Sequence, residues 1–168
     1  MKKLVMLLLA IVPFVGAIAQ TQKIGYVKTG EIFNAMPELP GIEKQLNDLQ
    51  ETYQKELKNM QSEYDKKYSD FIAQGDSLTE NIKMKRMQEL QDLEQRMQNV
   101  YQVAQQDNMK KQQELLAPVQ QKIADAIKAV GTENGFAYLL ENNPQIVLFV
   151  GTGAVDATPQ VKAKLGLK

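Results

Sequence analysis

Among its 168 residues the chain has no histidine and no cysteine. That removes the commonest general base, the commonest metal ligands and the thiol nucleophile together. Its carboxylates fall on the polar faces of predicted helices, away from groups that would tune a pKa. No GxxxxGK[ST] loop is present, which argues against ATP-driven cycling. Gly151-Thr152-Gly153 lacks the spacing of a phosphate loop and reads as the end of a strand. The residues therefore describe a protein that is not an enzyme and takes no cofactor and no metal. What remains is apolar contact. Met84, Met87, Met97 and Met109 crowd into one stretch. Methionine is flexible and suits contact with varied apolar surfaces. Met97, like Met60, falls on a helical seam, whereas Met84, Met87 and Met109 lie partly off it. Tyr68, Phe71, Ile72 and Ile82 gather nearby. These seven, Met97 set aside, are the candidate contact residues.

The stretch that must position them runs from Gly41 to Val130 and reads as helix. Pro40 ends the segment before it. The apolar residues Leu46, Leu49, Tyr53, Leu57, Met60, Tyr64, Tyr68 and Phe71 follow one another at intervals of three and four. Leu46 to Leu57, Leu49 to Met60 and Met60 to Phe71 are each eleven apart, a repeat that keeps a stripe on one face of a nearly straight helix. The break falls at Gln74-Gly75-Asp76-Ser77, where glycine ends the first helix. Ser77 or Thr79 can cap the second, and Ser77 with Glu80 fits a capping box. The stripe returns as Leu90, Leu93, Met97, Tyr101, Ala104, Asn108, Leu115 and Val119. Two narrow matching stripes joined by a tight polar turn predict an antiparallel helical hairpin, 41–117, with its tip near 74–78. Its first arm spans about 50 Å at 1.5 Å per residue, too long for the remaining residues to wrap. Pro118 is expected to kink the returning helix. Beyond it Val119, Ile123, Ala126, Ile127 and Val130 form a wider stripe, suited to packing on a body.

Residues 1–19 read as a secretory signal: Lys2 and Lys3, an apolar run from Leu4 to Val15, then Ala17-Ile18-Ala19, with cleavage expected after Ala19. Without Lys2 and Lys3, 18 basic residues face 20 acidic ones. Such a nearly neutral balance gives no support for nucleic-acid binding or a polybasic lipid contact. The hairpin carries 11 basic and 14 acidic residues, a mixed and solvated surface.

Residues 22–28 read as a strand with Ile24 and Tyr26 on one face and Val27 on the other. Residues 31–36 read as a helical turn. Phe136–Leu140 and Gln145–Val150 read as two further strands joined by a hairpin turn at Glu141-Asn142-Asn143-Pro144. Thr158 is placed as the cap of a last short helix with Pro159 in its first position. Residues 20–40 and 118–168 thus make one discontinuous body. The fold class is α+β, mostly α: a long hairpin arm on a small β-containing body. About 70 residues make a thin core for one protomer. Ile24, Tyr26, Phe136, Tyr138, Ile146, Leu148 and Val150 are accordingly the candidate oligomerisation residues.

The order of these pieces resembles the Skp/OmpH family of periplasmic chaperones. The likeness rests on Ile24-Gly25-Tyr26-Val27, Glu31-Ile32-Phe33, the hairpin, Leu115-Leu116-Ala117-Pro118-Val119 with Ala126-Ile127, Asn134-Gly135-Phe136, and Val155-Asp156-Ala157-Thr158-Pro159. It implies a periplasmic homotrimer. Strands from three chains would form the body, and three arms would enclose a cavity holding unfolded outer-membrane β-barrel proteins without ATP. The best-known members are strongly basic, so no lipopolysaccharide or phospholipid site is carried over to this near-neutral chain, and lipid contact is left open. The alternative is a structural coiled-coil spacer of the envelope with no client, which would need a sticky tip; the polar 74–77 turn argues against one.

Overall fold

The computed structural model describes residues 22–168; the expected signal segment and its cleavage site lie outside them. The order is β1 (Lys23–Val27), α1 (Thr29–Asn34), α2 (Leu39–Gln74), a 3-10 turn (Gly75–Ser77), α3 (Glu80–Glu133), β2 (Phe136–Glu141), β3 (Val155–Asp156) and α4 (Thr158–Lys164). The chain is mostly helical, with one small sheet. Helices α2 and α3 lie side by side and antiparallel. Across their seam Gln74 meets Arg86, Lys67 meets Glu89, Tyr53 meets Asp107 and Glu38 meets Lys122.

The intervals of three and four place the predicted stripe inside this hairpin. Met60, Leu90 and Leu93 are buried, and Leu46, Leu49, Tyr53, Leu57, Tyr64 and Met97 are half-buried. Tyr68 and Tyr101 depart from the stripe and are exposed. Pro40 does not precede α2 but sits in its first turn, where the absent N–H would have had no helical partner. Pro118 lies inside α3, whose helical run continues through it. Pro118 and Glu114, whose carbonyl loses its helical donor, are both exposed, so water can serve that carbonyl. The capping box does not form. Thr79 holds the cap position without a side-chain bond, and the Ser77 hydroxyl donates back to the Gln74 carbonyl at 2.8 Å.

The sheet differs most from expectation. Its order is β2-β1-β3, and both outer strands run parallel to β1. Residues 145–150 are not a strand. After Glu141 the Asn142 N–H donates to the Val27 carbonyl, and the chain curls at Pro144, with the Asn143 carbonyl accepting from Ile146 and Val147. The Asn143 side chain accepts from the Gln145 N–H. The apolar run that follows has no ladder partner among the described residues, and unpaired backbone gives strand propensity nothing to act on. The third strand is instead the two-residue β3. Thr158 does not cap α4 from outside; it is its first residue and buried, its Oγ1 accepting from the Lys28 N–H at 3.0 Å. Asp156 does the capping, accepting from the Thr158 N–H.

The main core lies between the sheet, α1, α4 and the base of the hairpin. It comprises Val27, Ile32, Met36, Ile42, Val119, Ile123, Ala126, Val130, Ala157 and Val161. Phe136 packs beside it under the Lys23 ammonium, 4.1 Å from the ring centre. A Cβ at Gly25 would lie 2.5 Å from the Phe136 ring and 2.8 Å from Leu139, so close approach of β1 and β2 demands glycine there. We therefore expect Gly25→Val to cost about 1–3 kcal/mol by overpacking and Ile32→Ala, fully buried here, about 2–5 kcal/mol. Thermal melts would register both as lower Tm; an unchanged Tm in Gly25→Val would contradict this packing.

Candidate functional site

Two apolar surfaces are left uncovered, one at each end of the molecule. Toward the tip, the helix intervals that turn the stripe inward turn other apolar residues outward. Ile72, Ile82, Met84 and Met87 are exposed, and Met109 stands out further down α3 at 65 % exposure. Tyr68 is exposed and stacks against Tyr64, ring centres 6.1 Å apart. Phe71 is half-buried and helps close the hairpin. The hairpin therefore brings Tyr68, Ile72, Ile82, Met84 and Met87 to its distal end and leaves Met109 apart from them.

At the base, the register sets Ile24 beside Tyr138 and Tyr26 beside Leu140. One sheet face thus carries Ile24, Tyr138 and Leu140 exposed, with Tyr26 half-buried. Phe136 turns the other way, into its own protomer's packing. Ile146, Leu148 and Val150 are exposed as well, Leu148 at 91 %. Sequence reasoning missed Leu140, Phe149, Tyr101 and Val103, which are exposed too. Val103 was readable as an apolar residue out of register with the stripe. Phe149 was hidden by the assumption that 145–150 alternates as a strand. Tyr101 obeys the eleven-residue step, and no spacing argument could have told that it lies at the edge of the seam.

Hydrogen bonds also cross the middle of the hairpin. The Tyr53 hydroxyl donates to the Asp107 carboxylate, and this bond pushes the Tyr53 phenol above its ordinary value. The Glu94 carboxylate does the same to Tyr64. The Lys67 ammonium lies 3.2 Å from Glu89. At the base, the hydrogen bond from Lys162 lowers Glu31 and that from Lys122 lowers Glu38. Asp156 is also lowered: burial opposes the shift, but bonds from Thr158 and the Lys28 charge outweigh it. These groups tie one element to another. Among the described residues no group of three metal-ligating side chains occurs, and no helix is long and apolar enough to cross a membrane.

A phenol whose folded pKa is raised gives its full stabilisation below the unfolded value of 10.0 and loses it as pH climbs through the folded value. We expect hairpin helicity, read by circular dichroism, to fall as pH rises above about 10. It should fall less in Tyr53→Phe/Tyr64→Phe; equal losses would show that these bonds do not hold the seam.

Residues 23–165 match the family model described as outer membrane protein (OmpH-like). The Chaperone protein Skp of Pectobacterium atrosepticum is 24 % identical over 149 residues, covering 87 % of this chain and 89 % of the relative. That of Yersinia enterocolitica is 26 % identical over 127 residues, 76 % and 77 % of the two chains. A solved structure of an OmpH-like protein from Caulobacter crescentus superposes with a TM-score of 0.72 at 17 % identity, over 86 % of this chain and 83 % of the other; at that identity the likeness concerns the fold.

Proposed function

The chain belongs to the OmpH-like outer membrane protein family, and on that premise we propose that it is an ATP-independent periplasmic holdase for unfolded outer-membrane β-barrel proteins. The family acts as chaperones of outer-membrane proteins. For this chain the observation that carries the reading is the set of uncovered apolar side chains at the end of the hairpin, with Ile72, Met84 and Met87 half or more exposed. A monomer gains nothing by keeping them in water, whereas a surface that holds unfolded chains needs them.

The force that holds a client follows from composition. The hairpin's 11 basic and 14 acidic residues leave a small net charge, screened beyond about 10 Å at 0.1 M salt. Apolar burial contributes about 25 cal/mol per Å², so a few hundred Å² shared among arms already amounts to several kcal/mol. Many weak apolar contacts, not charge, hold the client. In this reading residues 1–19 are removed on export, 20–40 with 118–168 form the assembling body, and 41–117 form the arm. The body joins three copies through Ile24, Tyr26, Tyr138 and the 145–150 run, and the arms surround a cavity.

Dilution of a urea-unfolded outer-membrane β-barrel protein into the purified chain tests this by light scattering. We expect aggregation to be suppressed, with affinity nearly constant between about 50 and about 500 mM salt. Replacing Met84, Met87 and Met109 together by Ser should weaken holding while helicity and oligomer mass stay the same. Failure to suppress aggregation at any ratio would overturn the reading, and a steep loss with salt would assign the force to charge.

Assembly is tested separately. We expect a trimer mass for the wild type at micromolar concentration and a single-chain mass for Leu148→Asp, both by multi-angle light scattering. A monomeric wild type would refute the assembly.

A further inference from the structure

One broad face of the hairpin differs in chemistry from the rest. Two depressions of about 310 and 440 Å³ lie end to end along its seam and share Leu57 and Tyr101. Apolar atoms of Leu57, Met97 and Ala104 contribute to their lining. Glutamines supply most of the rest, Gln50, Gln54 and Gln61 from α2 and Gln98, Gln102 and Gln105 from α3, beside Tyr53 and Asn108. No residue lining either depression is charged, although about one residue in three of the hairpin is. The eleven-residue step extends the face in both directions. Met87, Gln98 and Met109 stand in one line along α3, and Gln50, Gln61 and Ile72 in one line along α2.

The amides of this face are largely free. Gln45, Gln61, Gln88, Gln95 and Gln121 each bond a residue one turn away. Among the described residues no side-chain bond of that kind holds Gln50, Gln54, Gln98, Gln102 or Gln105. A glutamine amide offers both an acceptor and two donors. An unfolded main chain offers one donor and one acceptor at every residue, whatever its side chains. The spacing fits as well. Gln50 to Gln54 and Gln98 to Gln102 are single turns of four residues, rising about 6 Å. Two residues of extended chain, the interval at which main-chain groups recur on one edge, span about 6.6 Å. The lining itself offers a charged side chain no counter-charge.

We infer that this uncharged face seats an extended, uncharged stretch of unfolded polypeptide, held through its main chain by the free glutamine amides while its apolar side chains rest on Leu57, Met97 and Tyr101. The inference rests on the holdase reading and adds to it a face, a conformation and a chemistry of recognition. Segments destined to become membrane β-strands have that character on their apolar side.

The probe is a fluorescent ten-residue peptide of alternating threonine and valine, beside the same peptide N-methylated at alternate residues, both titrated into the full mature chain. Methylation removes main-chain donors and leaves the side chains. We expect about tenfold weaker binding of the methylated peptide, the loss of one or two hydrogen bonds. Gln98→Ala/Gln102→Ala/Gln105→Ala should bring the unmethylated peptide down to that level without changing helicity, oligomer mass or binding of the methylated one. Equal binding of the two peptides, no binding of either, or a triple variant matching wild type would overturn the inference. So would a photocrosslinker at Gln102 that joins two copies of this chain when no peptide is present, since the face would then belong to a second hairpin. Aggregation suppression by the wild type is scored independently. If it is absent, the holdase reading fails; if it is present while methylation has no effect, only the main-chain groove fails.

Discussion

The architecture depends on one pairing: Phe136 lies beside Lys23, and β2 runs parallel to β1. Parallel neighbours cannot be joined by a tight turn; they need a crossover. Here the crossover is the entire hairpin, with α1 and α2 leading out and α3 leading back. The outgoing and returning limbs must therefore cover the same distance, which is what the antiparallel contacts from Gln74–Arg86 to Glu38–Lys122 record. Helix α3 has 54 residues against 36 in α2. Much of the surplus is its last part, 119–130, whose apolar face enters the core under the sheet.

That division sets where stability resides. The base has a contiguous buried cluster, with Ile32 and Val161 fully enclosed. The seam above it buries only Met60, Leu90 and Leu93 and relies otherwise on half-buried side chains and polar clasps such as Lys67–Glu89. Exposed pairs of that kind contribute little individually. A thin seam leaves helix surface free, and on the proposed reading that surface of amides, methionines and tyrosines, which would be a weakness in a core, is where a client is held.

The helical part of this design was legible in the sequence because its signal is local. Intervals of three and four gave the stripe, and the return of the stripe after Gly75 gave the turn. The sheet was not legible, because pairing is a relation between distant segments. The 145–150 run has the composition of a strand but no partner among the described residues, whereas Val155–Asp156 has little strand character and pairs because the chain passes β1 there. Gly25 looked like any glycine in a strand until Phe136 was placed against it. Of the candidate surface, Tyr68 was read on the stripe and is exposed, whereas the exposure of Met84, Met87 and Met109 followed from their being partly off it. Tyr101 and the glutamine row did not, because polar residues on a helix read as ordinary solvated surface until two helices are set in register.

Helix α3 is also a lever. It passes through Pro118 without a break and is about 80 Å long. Its short limb, Val119 to Val130, is clamped in the core; its long limb, about three times as long, reaches the tip. Rigid tilting would convert a 3 Å excursion at the tip into about 1 Å of travel among close-packed side chains, which such packing resists. Torque applied at the tip would therefore be taken up before the fulcrum, by bending where the seam is leanest, around the half-buried Ala104 and Asn108.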